Sequence, residues 1–352
     1  MSKYLSSKFD LLSPYTPGEQ PKINNLIKLN TNESPFKPSP KAIEEAKKEL
    51  ERLNLYSDPE CTYLVEKLAE VLKVDPQNVI VTNGSDEILN FAFMAYCDKD
   101  TAVAFADITY GFYKVFANLH NIGYDLIPLK DDLSIDVKDY LNLNKTIFIA
   151  NPNAPTGLYL TLDKIEEILK ANKDSIVVID EAYVDFGNES AVSLITKYDN
   201  LLVTGTFSKS RSMAGARLGY GVASNSIIED LNMIRYSTNP YNVNRMTMAA
   251  GYGVLCDEEY TIKNINIICE NREYLKCELK KLGFTMPDSK ANFIFAKSDK
   301  ISGEDLYNEL RKRNILTRHF KDKRIKDYLR ITIGTKEEVD ILIENIKEIL
   351  EK

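Results

Sequence analysis

The stretch LLVTGTFSKSRSMAGARLGY, residues 201 to 220, guides the interpretation of the whole chain. An apolar strand at Leu201 to Thr204 leads to one lysine, Lys209, among small hydroxyl residues, and Arg217 supplies a second cation eight residues later. Loss of solvation and a neighbouring positive charge both lower the pKa of a lysine. Lys209 therefore has the features of a neutral, nucleophilic amine that can form an imine with an aldehyde. A solvated loop lysine is the ordinary alternative.

Bulk properties exclude several classes of protein. The 352 residues suffice for a large domain and a smaller one, and 44% apolar with 28% charged residues is a globular composition. The net charge of −7 comes from both signs without a basic stretch, so no nucleic-acid partner is expected. No apolar run long enough to span a membrane occurs, and the N-terminus lacks a hydrophobic signal segment. We therefore expect no membrane partner and a cytoplasmic location.

Cysteine and histidine give no sign of a metal site. The five cysteines are scattered without a C-x-x-C spacing, and only two histidines are present. The usual Cys/His ligand spacings are therefore missing. The sequence predicts free thiols and no bound metal.

Short β-branched runs alternate with longer amphipathic stretches between residues 79 and 223. The predicted strands are Val79 to Thr82, Thr101 to Ala106, Tyr124 to Pro128, Thr146 to Ala150, Ile176 to Asp180, Leu201 to Thr204 and Leu218 to Ala223. Helices are predicted at Lys41 to Leu53, Thr62 to Lys73, Glu87 to Tyr96, Gly111 to Asn121 and Leu162 to Ala171. This alternation predicts an α/β fold with a mostly parallel sheet flanked by helices.

The C-terminal third has a different pattern. Predicted there are helices at Asp257 to Leu282, Gly303 to Arg313 and Lys336 to Leu350, and strands at Asn292 to Ala296 and Leu329 to Ile333. With part of the N-terminus, these elements are expected to form a smaller α+β domain. The predicted organisation is an N-terminal arm at residues 1–40, a large domain at 41–250 and a small domain at 251–352.

Polar and aromatic residues follow the predicted strands, where ligands of open α/β sheets bind. The turn from Asn83 to Glu87 opens a helix and presents free N–H groups that suit a phosphate; Ser85 or Asp86 as a simple N-cap is the alternative. Tyr110 is placed to stack on a planar ligand, or packs in the interior as most such tyrosines do. Two prolines and a glycine make the loop from Asn151 to Gly157 rigid, which is typical of functional loops.

Asp180 closes the apolar strand Ile176 to Ile179. A carboxylate there is costly unless it meets a cation or a proton, so Asp180 is a candidate partner for a protonated ring nitrogen, with an N-cap as the alternative. Tyr183 follows closely and can hydrogen-bond the same ligand. A phosphate turn, a stacking ring, an acid, a phenol and an imine-forming lysine match the groups of pyridoxal 5'-phosphate, which is the predicted cofactor.

With these motifs the chain resembles, over nearly its whole length, the fold-type-I aminotransferases of class I/II and, within them, the histidinol-phosphate aminotransferases. The motifs that carry the resemblance are Pro14 to Gly18, Lys28 to Pro35, Asn83 to Glu87, Asn151 to Gly157, Asp180 to Tyr183, Ser208-Lys209 with Arg217, and Leu329 to Thr335. The resemblance implies fold type I, a homodimer, and transfer of an amino group from L-histidinol phosphate to 2-oxoglutarate by a ping-pong route through pyridoxamine phosphate.

The resemblance also implies roles for individual residues. Lys209 would bind the cofactor aldehyde and then act as the base, Asp180 would keep the ring nitrogen protonated, and Tyr110 would stack on the ring. Tyr183 and Asn153 would contact the 3-hydroxyl. The phosphate would be held at Gly84, Ser85, Asp86, Ser208 and Arg217, and by Tyr56 of the neighbouring subunit. The substrate would be bound by Arg330, Arg318, Tyr15 and Asn32, without an assignment of carboxylate or phosphate to either arginine.

Two departures from the family pattern leave parts of this interpretation open. Ala154 stands where many relatives have a second asparagine, which leaves open whether Asn153 contacts the cofactor. The stretch Phe320 to Asp327 is charged and lacks the usual glycines, and Lys323 and Arg324 within it are interpreted as surface charge.

Other functions compete with histidinol-phosphate transamination. Threonine-phosphate decarboxylation and aromatic amino acid transamination use the same fold and cofactor. A non-catalytic regulatory module would share the fold as well, but it would not need the lysine, the aspartate and the tyrosine. A nicotinamide-dependent dehydrogenase is excluded because no G-x-G-x-x-G follows the first strand.

Overall fold

A computed structural model of the chain describes residues 2–10 and 12–351. Met1, Leu11 and Lys352, which belong to the predicted N-terminal arm and small domain, lie outside the described residues. The strands are β1 Ile27–Lys28, β2 Val79–Thr82, β3 Val103–Ala106, β4 Tyr124–Ile127, β5 Thr146–Ala150, β6 Val177–Asp180, β7 Leu201–Thr206, β8 Gly219–Ala223, β9 Phe284–Thr285, β10 Phe293–Ser298, β11 Ile315–Leu316, β12 Arg318–His319 and β13 Leu329–Thr332. The helices are α1 Pro40–Lys48, α2 Thr62–Leu72, α3 Ser85–Tyr96, α4 Phe112–His120, α5 Leu162–Ala171, α6 Asn225–Thr238, α7 Arg245–Leu255, α8 Glu258–Lys281, α9 Gly303–Lys312 and α10 Lys336–Leu350.

Seven strands form the central sheet in the order β2-β8-β7-β6-β5-β3-β4. All of them are parallel except β8, which is antiparallel to both of its neighbours, β2 and β7. The predicted mostly parallel sheet is therefore confirmed. Strands β2, β3, β5, β6 and β7 end at one edge, which is where ligands of such sheets bind.

Helices cover both faces of this sheet because successive side chains of a strand point to opposite faces. In β5, Ile147 and Ile149 pack in the same core as Ile165 of α5. Phe148, between them, stacks on Phe93 of α3 at 4.4 Å between ring centroids. A strand buried on both faces is a nearly continuous apolar run, which explains why these strands could be located from the sequence.

A second, antiparallel sheet forms the core of the smaller unit. Its strand order is β12-β13-β10-β9, and it packs with α8, α9 and α10. Strand β1 pairs in parallel with β11, and Leu29 directly after β1 is 1% exposed in the same core. Part of the N-terminus therefore belongs to the small domain, as expected. The domain boundaries at residues 40 and 250 stay a prediction, and residue 250 lies inside α7.

Helices α6 and α7 are absent from the sequence-based prediction. Helix α7 contains Gly251 and Gly253, and glycine has a low helix propensity. A Cβ atom on Gly253 would lie 2.6 Å from the carbonyl oxygen of Lys41 in α1. The glycine therefore permits the close packing of α7 on α1, and this tertiary contact overrides the local propensity.

Candidate active site

Residues that follow strands β2, β3, β5, β6 and β7 enclose a cavity of about 140 Å³ at the edge of the central sheet. Of the predicted site residues, its wall contains Ser85, Asp86, Tyr110, Asp180, Tyr183, Ser208, Lys209 and Arg217. Residues from well-separated parts of the chain thus meet here, because the strands before them end side by side.

Lys209 reaches this cavity from the loop that follows β7. Its Nζ donates to the carbonyl oxygen of Thr31 at 3.4 Å and lies 6.0 Å from the centroid of the Tyr183 ring. Burial, and next the positive charge of Arg330, lower the pKa of Lys209 to about 8. Near that pH much of the amine is neutral, which is the form that attacks an aldehyde.

Asp185 anchors the loop that carries Lys209. Its carboxylate accepts hydrogen bonds from the hydroxyl of Ser210 and, at 2.7 Å, from the guanidinium of Arg211. The Arg211 side chain is only 11% exposed, so this ion pair is largely buried. Because Asp185 comes two residues after Tyr183, the pair joins the lysine loop to the turn that follows β6. This contact is not predicted from the sequence.

Asp180 is a buried carboxylate, 4% exposed, for which no cationic partner exists in the part of the chain that the structure describes. The hydroxyl of Tyr113 donates to its Oδ2 at 2.8 Å, and that of Thr204 donates to its Oδ1 at 3.4 Å. Burial raises the pKa of Asp180 to about 6. An uncompensated carboxylate in such a position favours the binding of a cationic group.

Tyr183 points its phenol toward the N-terminal segment. The side-chain amide of Asn32 donates to the Tyr183 hydroxyl at 2.9 Å. Asn32 is itself 1% exposed, and its Oδ1 accepts from the hydroxyl of Thr332 at 3.0 Å. Asn32, predicted to bind substrate, therefore holds Tyr183 in place and also lines the adjoining cleft.

The turn after β2 combines three of the residues predicted to hold a phosphate. Gly84 has φ +79°, and a Cβ atom there would lie 2.7 Å from the Arg217 guanidinium, so glycine is needed at this position. Asp86 accepts hydrogen bonds from Tyr110 at 2.7 Å and from Arg217 at 3.2 Å. Helix α3 starts at Ser85, and the N–H groups of its first turn have no acceptor within the helix. This end of the cavity therefore suits an anion.

Asn153 does not line this cavity. Its Oδ1 accepts from the hydroxyl of Thr109 at 2.7 Å, and its Nδ2 donates to the carbonyl of Ile108 at 3.0 Å. The next residue, Ala154, is the one in the wall. Asn153 shapes the loop in the structure, and the contact with a cofactor hydroxyl that the resemblance implies stays a prediction.

A larger cleft of about 440 Å³ adjoins the cavity and shares Lys209 and Tyr183 with it. Tyr15, Arg318 and Arg330 line this cleft. The Tyr15 ring lies 4.6 Å from that of Phe112 and 6.4 Å from that of Tyr110. The predicted substrate-binding residues are therefore next to the predicted catalytic lysine.

Arg318 and Arg330 are direct partners across strands β12 and β13. Arg330 donates to the carbonyl of Asn30 at 2.9 Å, and its Nε is buried without a partner among the residues described. Arg318 donates to the carbonyls of Thr16 and Pro17 at 3.0 and 3.3 Å. Directly opposed residues of an antiparallel pair face the same side, so both guanidinium groups are available to one anionic ligand or to two.

Tyr56 is not among the residues that line the cavity of its own chain. It is 78% exposed and stacks on Tyr241, with ring centroids 4.5 Å apart. The role of Tyr56 at the site of a neighbouring subunit stays a prediction.

Tyr113 and Thr204 are site residues that the sequence analysis does not name. Tyr113 is fully buried and lies in the first turn of α4, three residues after Tyr110. A buried tyrosine normally has a hydrogen-bond partner, and the 3.6-residue period places Tyr113 on the same face as Phe116. That pattern is the available signal, but it does not identify Asp180 as the partner.

Two further properties concern the chain as a whole. None of the helices between residues 2 and 351 is long and apolar enough to cross a membrane. Within the same described part of the chain, no three His, Cys, Asp or Glu side chains are grouped so that they could hold a metal ion.

Comparison with known proteins agrees with this geometry. Residues 24–346 match the family described as aminotransferase class I and II. The chain is 50% identical to the histidinol-phosphate aminotransferase of Brachyspira hyodysenteriae and 48% identical to that of Clostridium acetobutylicum, with 99% of each chain covered. In fold it is similar to the histidinol-phosphate aminotransferase of Sinorhizobium meliloti, solved in complex with pyridoxal-5'-phosphate, with a TM-score of 0.91, 22% identity and coverage of 100% and 98%. The chain belongs to the class I and II aminotransferases.

Proposed function

We propose that the chain is a pyridoxal-phosphate-dependent aminotransferase that converts L-histidinol phosphate and 2-oxoglutarate into imidazole-acetol phosphate and L-glutamate, a step of histidine biosynthesis. Relatives that are 48% and 50% identical over 99% of the chain are named histidinol-phosphate aminotransferases. The observation that carries the proposal is the cavity in which the Lys209 amine and the uncompensated Asp180 carboxylate meet, next to the opposed arginines Arg318 and Arg330.

The donor set of the cavity fits pyridoxal phosphate. Asp180 offers a buried negative charge for the ring nitrogen, and the start of α3 with Arg217 offers positive potential for the phosphate. Tyr110 offers an aromatic face to the ring, and Tyr183 a phenol to the 3-hydroxyl. The roles of Ser208, Ser85 and Asp86 at the phosphate are part of the proposal.

When bound, pyridoxal phosphate supplies an aldehyde that takes up the amino group and a ring that accepts the electron pair left at the substrate carbon. Lys209 moves the proton at the substrate Cα through its neutral Nζ. Asp180 holds the proton at the ring nitrogen, which keeps the ring a strong electron acceptor. Asn32 orients the Tyr183 phenol, and Tyr15 lines the cleft beside Tyr110.

One cleft serves both substrates in turn. Histidinol phosphate carries a phosphate, and 2-oxoglutarate carries two carboxylates. The planar guanidinium forks of Arg318 and Arg330 bind either type of anion in two-point fashion. Such a pair suits a ping-pong reaction, in which the second substrate enters after the first product leaves.

The functional unit is proposed to be a homodimer. Exposed apolar side chains are concentrated between α1 and α2, where Leu50, Leu53, Leu55 and Tyr56 are 49%, 57%, 54% and 78% exposed. A surface of this kind is typical of a protein–protein interface. Tyr56 would reach the cofactor phosphate of the second subunit. The cytoplasmic location expected from the sequence stays a prediction.

Half-reactions with the purified holoenzyme test the proposed function. L-histidinol phosphate alone should remove the visible absorbance of the aldehyde form and release imidazole-acetol phosphate, and 2-oxoglutarate should restore the absorbance and yield glutamate. L-histidinol, which lacks only the phosphate, is the matched control and should react far more slowly. Release of carbon dioxide from O-phospho-L-threonine, or faster reaction with L-tyrosine, would overturn the proposal.

A further inference from the structure

The loop of residues 320–328 joins the two strands that carry Arg318 and Arg330. We call it the β12–β13 loop. Most of its residues are exposed, but Arg324 and the buried Ile325 contact the large domain. Arg324, which the sequence analysis interprets as surface charge, forms an ion pair with Asp107 and donates to the carbonyls of Leu129 at 2.6 Å and Lys130 at 3.2 Å. Arg324 is therefore a surface charge, as interpreted from the sequence, but one with three partners in the large domain.

Asp107 connects the ion pair to the cavity. It directly follows β3, and its second carboxylate oxygen accepts from the N–H of Leu129 at 2.9 Å. Three residues after Asp107 comes Tyr110, which lines the cavity. The Arg324–Asp107 pair therefore joins the segment that carries Tyr110 to the loop between the two substrate arginines.

Apolar packing accompanies the ion pair. Ile325, the next residue, is 3% exposed and packs in one cluster with Ala106, Ile108 and Leu129 of the large domain. The loop can bury Ile325 and form the Arg324–Asp107 pair at the same time only in one position, so close packing favours that position.

Phe320 lies at the other end of the same loop, between the two arginines. Its ring centroid is 5.9 Å from the Arg318 guanidinium and 5.8 Å from that of Arg330. The ring also meets Phe295 edge to face at 6.0 Å. Cation–π contacts hold a guanidinium at a defined place over a ring. Together with their hydrogen bonds to the N-terminal segment, this contact with the β12–β13 loop places both guanidinium groups.

The energetics favour a positioning role over a stabilising one. The Arg324 side chain is 37% exposed and that of Asp107 22%, so solvent screens the pair and its contribution to global stability is small. The planar fork of arginine nevertheless fixes the direction of three hydrogen bonds at once. Loss of Arg324 should loosen the loop without unfolding the protein.

From these contacts we infer that Arg324 is a positioning residue for substrate binding: its bond to Asp107 docks the β12–β13 loop and so holds Arg318 and Arg330 at the distance from Tyr110 and Lys209 that an anionic substrate requires. The inference rests on the proposed function for the identity of the substrates. Arg324 itself lies outside the site and touches no reacting group.

Kinetics of the holoenzyme test this inference with Arg324→Ala and, as the matched control, Lys323→Ala, which removes the same charge from an exposed neighbour. For Arg324→Ala we expect the KM of both histidinol phosphate and 2-oxoglutarate to rise about fivefold, with kcat and the cofactor dissociation constant nearly unchanged. Lys323→Ala should match the wild type. Arg324→Lys should recover part of the effect, and Arg324→Ala combined with Asp107→Asn should be no worse than either single change.

Amide hydrogen exchange of the same holoenzymes provides a readout without turnover. Exchange in residues 318–330 should accelerate in Arg324→Ala and not in Lys323→Ala. Unchanged KM values, or equal KM increases in both variants, would overturn the inference. If the wild type does not convert histidinol phosphate at all, the proposed function fails, whereas faster exchange confined to Arg324→Ala would still support the positioning role.

Discussion

The hydroxyl of Tyr113 donates a 2.8 Å hydrogen bond to Oδ2 of Asp180, joining α4 to the end of β6 inside the protein. Two opposing effects act on this carboxyl. Burial raises its pKa to about 6, while the hydrogen bond from Tyr113 favours the ionised form and keeps the pKa from rising further. Asp180 is thus ionised at neutral pH and available to a protonated ring nitrogen.

Tyr113→Phe should raise the pKa of Asp180, because the largest stabilising contact of the carboxylate is removed. Cofactor binding needs the ionised carboxyl, so affinity falls as the pH drops through the pKa of Asp180. That fall should begin at a higher pH in the variant than in the wild type, where it lies near pH 6. Affinity for pyridoxal phosphate at neutral pH should drop about tenfold, as measured by fluorescence titration of the apoprotein between pH 5 and 8.

Tyr140→Phe is the matched control for this change. It removes the same atom from a tyrosine that is 1% exposed and whose hydroxyl has no partner among residues 2–10 and 12–351. Its cofactor affinity should follow the wild-type pH dependence. An equal shift in both variants would mean that the bond to Asp180 is not responsible.

Covalent capture of pyridoxal phosphate by Lys209 should follow the lowered pKa of the amine. Above pH 7 the rate should rise with the neutral fraction of the amine and level off above about pH 8. For a lysine with an ordinary pKa, the rate would keep rising to a higher pH. Borohydride reduction at timed intervals, followed by mass spectrometry of the Lys209 peptide, measures the rate. The exposed Lys173 serves as an internal reference in the same digest.

Arg330→Gln tests the cause of that shift. Arg330 is the largest source of positive charge that lowers the pKa of Lys209, so its loss should move the plateau to higher pH. A plateau at the wild-type pH would mean that burial, with the smaller effect of Arg217, lowers the pKa without Arg330. Absence of label on Lys209 in the wild type would contradict the proposed chemistry altogether.

Glu181→Gln should change how stability depends on pH. Glu181 is 4% exposed, accepts from the N–H of Ala191 at 2.7 Å, and burial raises its pKa to about 8. The folded carboxyl therefore keeps a proton that the unfolded chain releases near pH 4.5, so the wild type loses stability as the pH rises from about 4.5 to 8. Glutamine resembles the protonated carboxyl and does not titrate, so the variant should not lose this stability as the pH rises.

The free energy of unfolding in urea at pH 5 and pH 8 measures the effect. The free energy of unfolding of the variant relative to that of the wild type should rise by on the order of 3 kcal/mol from pH 5 to pH 8. Each pH unit contributes at most about 1.4 kcal/mol to this difference. Glu167→Gln, at an exposed position of α5, is the control and should show no such gain. A parallel pH dependence of wild type and Glu181→Gln would disprove the prediction.

Tyr56→Phe should weaken cofactor binding at the neighbouring subunit. Because the phenol is proposed to act across the interface, a mixed dimer of Tyr56→Phe and Lys209→Ala protomers has one site with both the lysine and the tyrosine. We expect that dimer to bind pyridoxal phosphate at one site with wild-type affinity and to be active, although Lys209→Ala alone is inactive. Mixing is monitored by activity and by equilibrium dialysis.

Tyr4→Phe, at an equally exposed tyrosine, 83% exposed, is the control and should leave cofactor affinity unchanged. If Tyr56 acted within its own chain, the site that keeps Lys209 would lack its tyrosine, and the mixed dimer would bind pyridoxal phosphate as weakly as the Tyr56→Phe homodimer. A monomeric wild type in analytical ultracentrifugation would also refute the role of Tyr56.

Much of the site could be predicted from local sequence patterns, because the carboxyl ends of parallel strands lie at the same edge of a sheet. Asp180 ends β6 and Lys209 follows β7. These strands are neighbours in the sheet and their carboxyl ends share one edge, so residues at those ends lie close together. The bounds of β2, β5, α5 and α10 agree with the prediction because their apolar periodicity is strong. Helix α7 was missed because close packing at Gly253, not propensity, stabilises it.

The amino-acid sequence alone determined the α/β fold, the parallel sheet and the residues gathered at its edge, since periodicity and strand ends are local properties. Only the tertiary structure decided which partner each side chain meets: Tyr113 for Asp180, Ala154 instead of Asn153 in the cavity wall, and Asp107 for Arg324. These pairings depend on side-chain direction and on contacts between distant segments. No local pattern encodes them, because the closeness of two such segments arises only when the whole chain is packed.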